Sequence, residues 1–287
     1  MPGPEDELRE LADSGLLRSL REISATNPPR VTVDGREFLN FSSNDYLGLS
    51  LHPALTEAAQ RALVDWGTGS TASRLICGTQ SPHARLEEDL AARKGTEAAL
   101  SFANGYATAL GTITSILGPG DTVILDKLSH ACLVDAARQG GATLRVFPHN
   151  NLAKLQRLLE GADPAHRTLV VTESVFSMDG DTCPLADIVE LKDRHGALLL
   201  LDEAHAVGVL GQSGQGLAEH LGLAGRVDFQ MGTLGKAVGS AGGYIATTRA
   251  WVDLILNKAR PFIYSTAPPP GQAAAAMAGL EVIASPE

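Results

Sequence analysis

The sequence predicts an α/β protein: a mainly parallel sheet with helices on both faces, preceded by an N-terminal helix and a β-hairpin. Two observations carry this. Short apolar runs recur at 98–102, 121–125, 143–147, 168–172, 197–201 and 243–247, which is how strands buried on both faces read. Between them lie segments of helical length and pattern, separated by breaks such as Gly118-Pro119-Gly120. The alternation points to βα units rather than an all-β or all-α fold.

Taken in order, residues 5–22 read as an amphipathic helix with Leu8, Leu11, Leu16, Leu17 and Leu20 on one side. Asn27-Pro28-Pro29 should stop it. The alternating stretch VTVDGREFLNF turns at Asp34-Gly35 and predicts a hairpin. The polar loop 41–50, FSSNDYLGLS, carries Tyr46 and Leu47, expected to be buried. A helix begins near Pro53, and another runs from Pro82 to Lys94; between them 67–80 is small-residue loop of the kind that approaches a ligand or a partner. Helices are then expected from Tyr106 to Leu117, and at 130–139, 152–159, 185–194, 251–259 and 271–284. Residues 1–50 form a first segment on this reading, and 51–287 a large domain.

Composition narrows the function. The chain has 287 residues, 44% apolar and 20% charged, with a formal net charge of −10. An acidic balance argues against a nucleic-acid partner, which requires basic surface. No apolar run is long enough to span a membrane, and the polar start MPGPEDELRE does not resemble a signal peptide. Cys77, Cys132 and Cys183 are scattered, which excludes a disulfide framework or zinc spacing and suits a reducing, cytoplasmic setting.

Candidate chemistry collects at predicted strand ends, where ligands bind in parallel sheets. Lys236 sits in GTLGKAVGSAGG, a glycine-flanked turn that lets another body approach; such a lysine is either a surface turn residue or a Schiff-base nucleophile. Asp202 follows a buried strand and needs a positive partner or a capping role, with His205 three residues on. His130 opens a helix in LSHACLVD, placed to stack on a ring or transfer a proton. Asn104-Gly105-Tyr106 joins a strand to a helix N-terminus, where amides favour an anion. Asp202-Glu203-Ala204-His205 also matches the magnesium box of helicase-type ATPases. That reading fails, because Gln230 and Ala237 break the phosphate-loop pattern around Gly235-Lys236. Carboxylate, lysine, histidine and anion site together point to pyridoxal phosphate, whose aldehyde, pyridinium nitrogen and phosphate they match.

With these motifs the chain resembles the α-oxoamine synthases of the fold-type I pyridoxal-phosphate enzymes, from about Leu16 to its last residue. The carrying stretches are NFSSNDYLGLS, SRLICGTQSPH, ANGYATAL, LSHACLVDAAR, TESVFSMDGD, DEAHAVGVLG, GTLGKAVGSAGGY and FIYST. The resemblance implies that Lys236 bonds the cofactor aldehyde and moves the substrate α-proton. It implies that Asp202 pairs with the ring nitrogen, His205 bonds the ring oxygen and His130 stacks on the ring and meets substrate. Gly105 and Tyr106 would face the phosphate, Ser177 the cofactor and Thr233 the phosphate, with Ser265 and Thr266 reaching it from a partner subunit of a homodimer. Arg18, Asn44 and Tyr46 would serve the substrate side. The implied reaction joins L-alanine to pimeloyl-CoA or a pimeloyl-carrier protein with loss of carbon dioxide, a step of biotin synthesis. RLICGTQ also fits the glycine C-acetyltransferases. Family members continue into a C-terminal small domain whose carboxylate-binding arginine has no match here, so an inactive fragment or a scaffold stands as the non-enzyme alternative.

Overall fold

The computed structural model describes residues 3–286. It divides into two units, Met1–Ser43 and Asn44–Glu287.

In the first unit, helix α1 spans Pro4–Asp13 and strands β1 (Ile23–Asn27), β2 (Arg30–Val33) and β3 (Arg36–Leu39) form an antiparallel sheet in that order. The hairpin falls where Asp34-Gly35 predicted it, both residues at positive φ (50° and 71°). The helix expected over 5–22 is shorter, for a local reason. Ser14 caps it, its hydroxyl bonding Glu10 O at 2.8 Å, and Gly15 turns left-handed at φ 70°. Residues 16–22 form neither helix nor strand, and β1 begins at Ile23. Leu16, Leu17 and Leu20 are exposed rather than lined along a helix.

The second unit opens with α2 (Pro53–Trp66) and α3 (Ser81–Lys94). A βα series follows: β4 (Ala98–Phe102), α4 (Gly105–Ile116), β5 (Thr122–Asp126), α5 (Ala131–Gln139), β6 (Thr143–Phe147) and α6 (Leu152–Glu160). It continues with β7 (Thr168–Glu173), α7 (Leu185–Arg194), β8 (Leu198–Asp202), the short α8 (Leu217–His220), β9 (Phe229–Thr233) and β10 (Gly243–Thr247). Helices α9 (Arg249–Lys258), α10 (Arg260–Ile263) and α11 (Pro270–Ile283) complete it. The sheet order is β4-β10-β9-β8-β7-β5-β6, with β10 antiparallel to both its neighbours and the β6-β5-β7-β8-β9 run parallel.

Alternation along each strand builds the two faces. Val123, Leu125, Leu169, Val171 and Leu200 pack under α4, α5 and α9. Ile124, Val170, Leu199 and Leu201 pack under α6 and α7. Leu86 and Leu90 of α3 meet Ala273, Ala276 and Leu280 of α11 in a third cluster. Both faces of the sheet are thus covered, as the continuous apolar runs require. Among the described residues no helix is long and apolar enough to cross a membrane.

One ion pair lies within this core. Lys94 Nζ donates to Glu203 at 2.7 Å and to the carbonyl of Gln215, with both charged side chains almost wholly buried. Glu203 also accepts the Ala218 amide at 3.0 Å, so it ties β8 to the start of α8. Removing one partner strands the other charge. Lys94→Met should cost about 3–5 kcal/mol of unfolding free energy in urea titrations.

Candidate functional site

Five strand ends converge on one cleft. It is lined by Gly105, Tyr106, His130, Cys132, Glu173, Asp202, Ala204, His205, Met231, Thr233 and Lys236. Gly105 follows β4, His130 follows β5, Glu173 ends β7, Asp202 ends β8 and Lys236 follows β9. The sheet therefore gathers all four features that the sequence placed at strand ends, and adds a fifth.

The floor is acidic. Asp202 is buried, and its carboxylate accepts the Ala204 amide at 2.9 Å. Burial pushes its pKa up, while that amide and the Lys236 charge oppose the rise. Glu173 stands directly beside it, in register on the neighbouring parallel strand. Burial and then the Asp202 charge push the Glu173 carboxyl up to about 8. It accepts the His130 amide at 2.5 Å and is also bonded by the Ser177 amide. Sequence reasoning missed Glu173. The available signal was its place at the end of the buried run TLVVT, the same position that marked Asp202.

Lys236 faces these acids. Burial lowers its pKa, and the Asp202 and Glu173 charges partly restore it. Its Nζ lies 2.7 Å from His205 Nε2. Burial and then the Lys236 charge depress His205 to about 4, so its ring is neutral near pH 7. On the other side, His205 Nδ1 lies 2.6 Å from the Tyr46 hydroxyl, which donates to Asn44 Oδ1 at 3.2 Å. Tyr46 and Leu47 are thus not buried as expected; they are 43% and 46% exposed, because the loop presents Tyr46 by its hydroxyl to His205.

His130 caps α5, its Nδ1 accepting the Cys132 amide at 3.2 Å and contacting Cys132 Sγ at 3.0 Å. Burial, with the Asp202 charge, pushes the Cys132 thiol up to about 12, so it is a thiol and not a nucleophile. Asn104 caps α4 by accepting the Ala107 amide at 2.8 Å. The Gly105 and Tyr106 amides precede that bond, at the positive end of the helix. A Cβ built on Gly105 meets no atom nearer than 3.9 Å, so folding alone does not demand glycine there. The Tyr106 hydroxyl is committed to Asp135 at 2.8 Å. Thr233 lines the cleft and bonds Gly242 O at 3.0 Å.

Three expected contributors of the second unit, Ser177, Ser265 and Thr266, stand apart from the cleft. Ser177 lines a neighbouring, more apolar cleft with Tyr46, Val175, Phe176 and Val209 that meets the first at His205. Thr266 is bridged to Ser73, and the Ser265 hydroxyl bonds Pro261 O. Arg18 lies exposed in the first unit.

Residues 36–285 match the family model for aminotransferase class I and II. The chain belongs to the class I and II aminotransferase family. Within this family it is 50% identical over 281 residues to 8-amino-7-oxononanoate synthase of Geobacter sulfurreducens, covering 98% of this chain and 72% of that protein. The synthase of the same name from Symbiobacterium thermophilum is 45% identical over 279 residues, covering 97% and 71%. Among solved aminotransferase-family structures, serine palmitoyltransferase from S. paucimobilis with a bound PLP-myriocin aldimine superposes with a TM-score of 0.91 at 33% identity, covering 97% of this chain and 71% of that one. The 8-amino-7-oxononanoate synthase of Francisella tularensis superposes at 0.74 with 28% identity, covering 86% and 69%.

The raised Glu173 carboxyl fixes a pH dependence. Its folded pKa of about 8 exceeds the unfolded value of 4.5, so between these values the native state holds a proton that the unfolded state has lost. Stability therefore falls as pH rises through that window. Glu173→Gln cannot ionise, so urea titrations at pH 5 and pH 8 should find a smaller loss for the variant than for the unsubstituted protein.

Proposed function

We propose that this chain performs the pyridoxal-phosphate-dependent condensation of L-alanine with pimeloyl-CoA or a pimeloyl-carrier protein, releasing 8-amino-7-oxononanoate and carbon dioxide. The observation that carries the reading is a half-buried lysine amine opposite a buried aspartate, with an open helix N-terminus at Gly105 in the same cleft. Those groups match an aldehyde, a pyridinium nitrogen and a phosphate. The space over Gly105, which a Cβ would fill without a clash, fits an anion brought close to the backbone.

When bound, the cofactor supplies an electron sink for a carbanion at the amino-acid α-carbon. The protein residues do the rest. Lys236, whose pKa burial lowers, would bond the cofactor aldehyde and move the substrate α-proton. Asp202, with its carboxylate fixed by the Ala204 amide, keeps the ring nitrogen protonated. His130 covers the ring, its orientation set by the Cys132 amide and by Glu173 at its own main chain. Gly105, Tyr106 and Thr233 serve the phosphate. Asn44 and Tyr46 sit on the far side of His205 from the lysine, towards the neighbouring cleft. Ser177, in that cleft, is assigned to the ring side, and Ser265 and Thr266 to a partner subunit's phosphate. Arg18 is assigned to the acyl substrate. The same reading makes the protein a cytoplasmic homodimer, with residues 51–287 as its cofactor domain.

Protein mixed with the cofactor should develop visible absorbance, and borohydride should then fix a pyridoxyl mass on the peptide containing Lys236. Lys236→Ala should lose that adduct; an unchanged adduct sinks the assignment. Turnover of L-alanine with pimeloyl thioester should exceed that of glycine with acetyl-CoA, and the reverse order would redirect the function to a glycine C-acetyltransferase.

A further inference from the structure

Lys236 is half-buried in its cleft, and its amine must lose a proton to act as a nucleophile. The Asp202 and Glu173 carboxylates favour its ammonium form. Among the described residues, His205 is the one histidine within hydrogen-bond reach of Nζ, and it leads outward. The chain of contacts is Lys236 Nζ to His205 Nε2 at 2.7 Å, His205 Nδ1 to the Tyr46 hydroxyl at 2.6 Å, and that hydroxyl to Asn44 Oδ1 at 3.2 Å. Tyr46 is 43% exposed and borders the neighbouring cleft.

The polarity of this chain is fixed from its outer end. Tyr46 donates to Asn44, so its oxygen accepts, and the proton of the neutral ring lies on Nδ1. Nε2 is then an acceptor pointing at Lys236. We propose that Asn44, Tyr46 and His205 form a proton outlet for Lys236, and that each passage reverses the chain so that His205 afterwards donates into the cleft. Tyr46 acts on Lys236 only through His205, relaying the proton over its own oxygen.

The step balances. An N–H bond of the Lys236 ammonium breaks as one forms at His205 Nε2. The Nδ1–H bond breaks as its proton passes to the Tyr46 oxygen. The former hydroxyl proton leaves to a solvent water, and nothing is oxidised or reduced. The products are a neutral lysine amine and a neutral His205 that carries its proton on Nε2 and accepts from Tyr46 on Nδ1. A hydroxyl at the Tyr46 position both donates and accepts, and so serves both polarities.

The reversed state suits the proposed cofactor, on which this inference rests. The ring of pyridoxal phosphate carries an oxygen beside its aldehyde carbon, anionic when the cofactor is bound through nitrogen. A donating Nε2–H stabilises that oxygen, and an accepting Nε2 repels it. The same three residues would therefore deprotonate the lysine and prepare the hydrogen bond that the product of its attack needs.

Nitrogen-15 NMR of imidazole-labelled protein reads the tautomer directly. The proton on His205 should sit on Nδ1 in the cofactor-free protein and on Nε2 after pyridoxal phosphate is added. The same nitrogen protonated in both states overturns the proposal. In Tyr46→Phe, absorbance should develop at least roughly tenfold more slowly on mixing with cofactor at pH 7, within the range of a lost proton-transfer group. The deficit should shrink towards pH 9.5, where solvent base deprotonates the lysine unaided. A slowing that does not change with pH marks a merely structural tyrosine and overturns the outlet. If the unsubstituted protein gives no absorbance and no Lys236 adduct, the cofactor reading falls and the outlet with it; an adduct with an unmoved His205 proton removes the outlet alone.

Discussion

The structure turns on one electrostatic constraint: a lysine amine held in a low-dielectric cleft against two carboxyl groups on neighbouring strands. Asp202 and Glu173 are paired in register, so parallel β geometry sets them about 5 Å apart at their backbones. Neither has a side-chain cation of its own. Both are pushed towards protonation by burial, while Lys236 is pushed towards the neutral amine. Each shift is the cost of burying one charge, and each is moderated by the opposite charge across the cleft. A site balanced in this way takes up an aromatic cation without creating a new unpaired charge.

The sheet makes that arrangement possible by sending adjacent acids to opposite sides. Asp202 and Glu203 are consecutive, and strand alternation at the end of β8 separates them. Asp202 faces the cleft, whereas Glu203 turns beneath it to Lys94 and the Ala218 amide. The lower ion pair anchors the turn that carries Ala204 and His205, so the positions of the reacting groups depend on a charge pair that touches none of them. Gly216 belongs to the same support: at φ 111° it passes so close to Glu203 that a Cβ would lie 2.4 Å from its carboxylate.

What the sequence revealed follows from what burial leaves in composition. Strands covered on both faces must be apolar throughout, so β4, β5, β7, β8 and β10 were readable to within a residue or so at their ends, whereas the edge strand β6 is largely exposed, Arg145 and Val146 included. Direction leaves no such trace, and nothing in Gly243–Thr247 announces that β10 runs against its neighbours. The N-terminal leucines looked helical because spacing was the only guide, and the left-handed turn at Gly15 that ends α1 competes with that spacing. Lys236, Asp202, His130, Gly105 and His205 were legible because each follows a predicted strand. Glu173 meets the same criterion, but the polar loop that follows it made it look like ordinary surface acid. Ser265 and Thr266 were singled out by resemblance, and one chain alone does not bring them to the cleft.

The glycines around Lys236 illustrate how a motif can be right for a different reason. The run GTLGKAVGSAGG invites the view that small residues clear room for a ligand. The contacts point to packing instead. At Gly239, φ is 75° and a Cβ would lie 2.7 Å from the backbone of Leu49 and Ser50. At Gly243 it would lie 2.5 Å from Thr108 Oγ1 and 2.8 Å from Gly105 Cα. The second closeness has a consequence for the site. By letting β10 lie against the first turn of α4, Gly243 sets where the Gly105 and Tyr106 amides stand relative to Lys236. A Cβ on Gly105, like one on Gly235, would meet its neighbours only at ordinary contact distance, 3.9 Å at the nearest for Gly105. The motif around the lysine thus acts chiefly as a template that fixes the distance between amine and anion site, while room for the ligand comes from a glycine more than a hundred residues earlier in the chain.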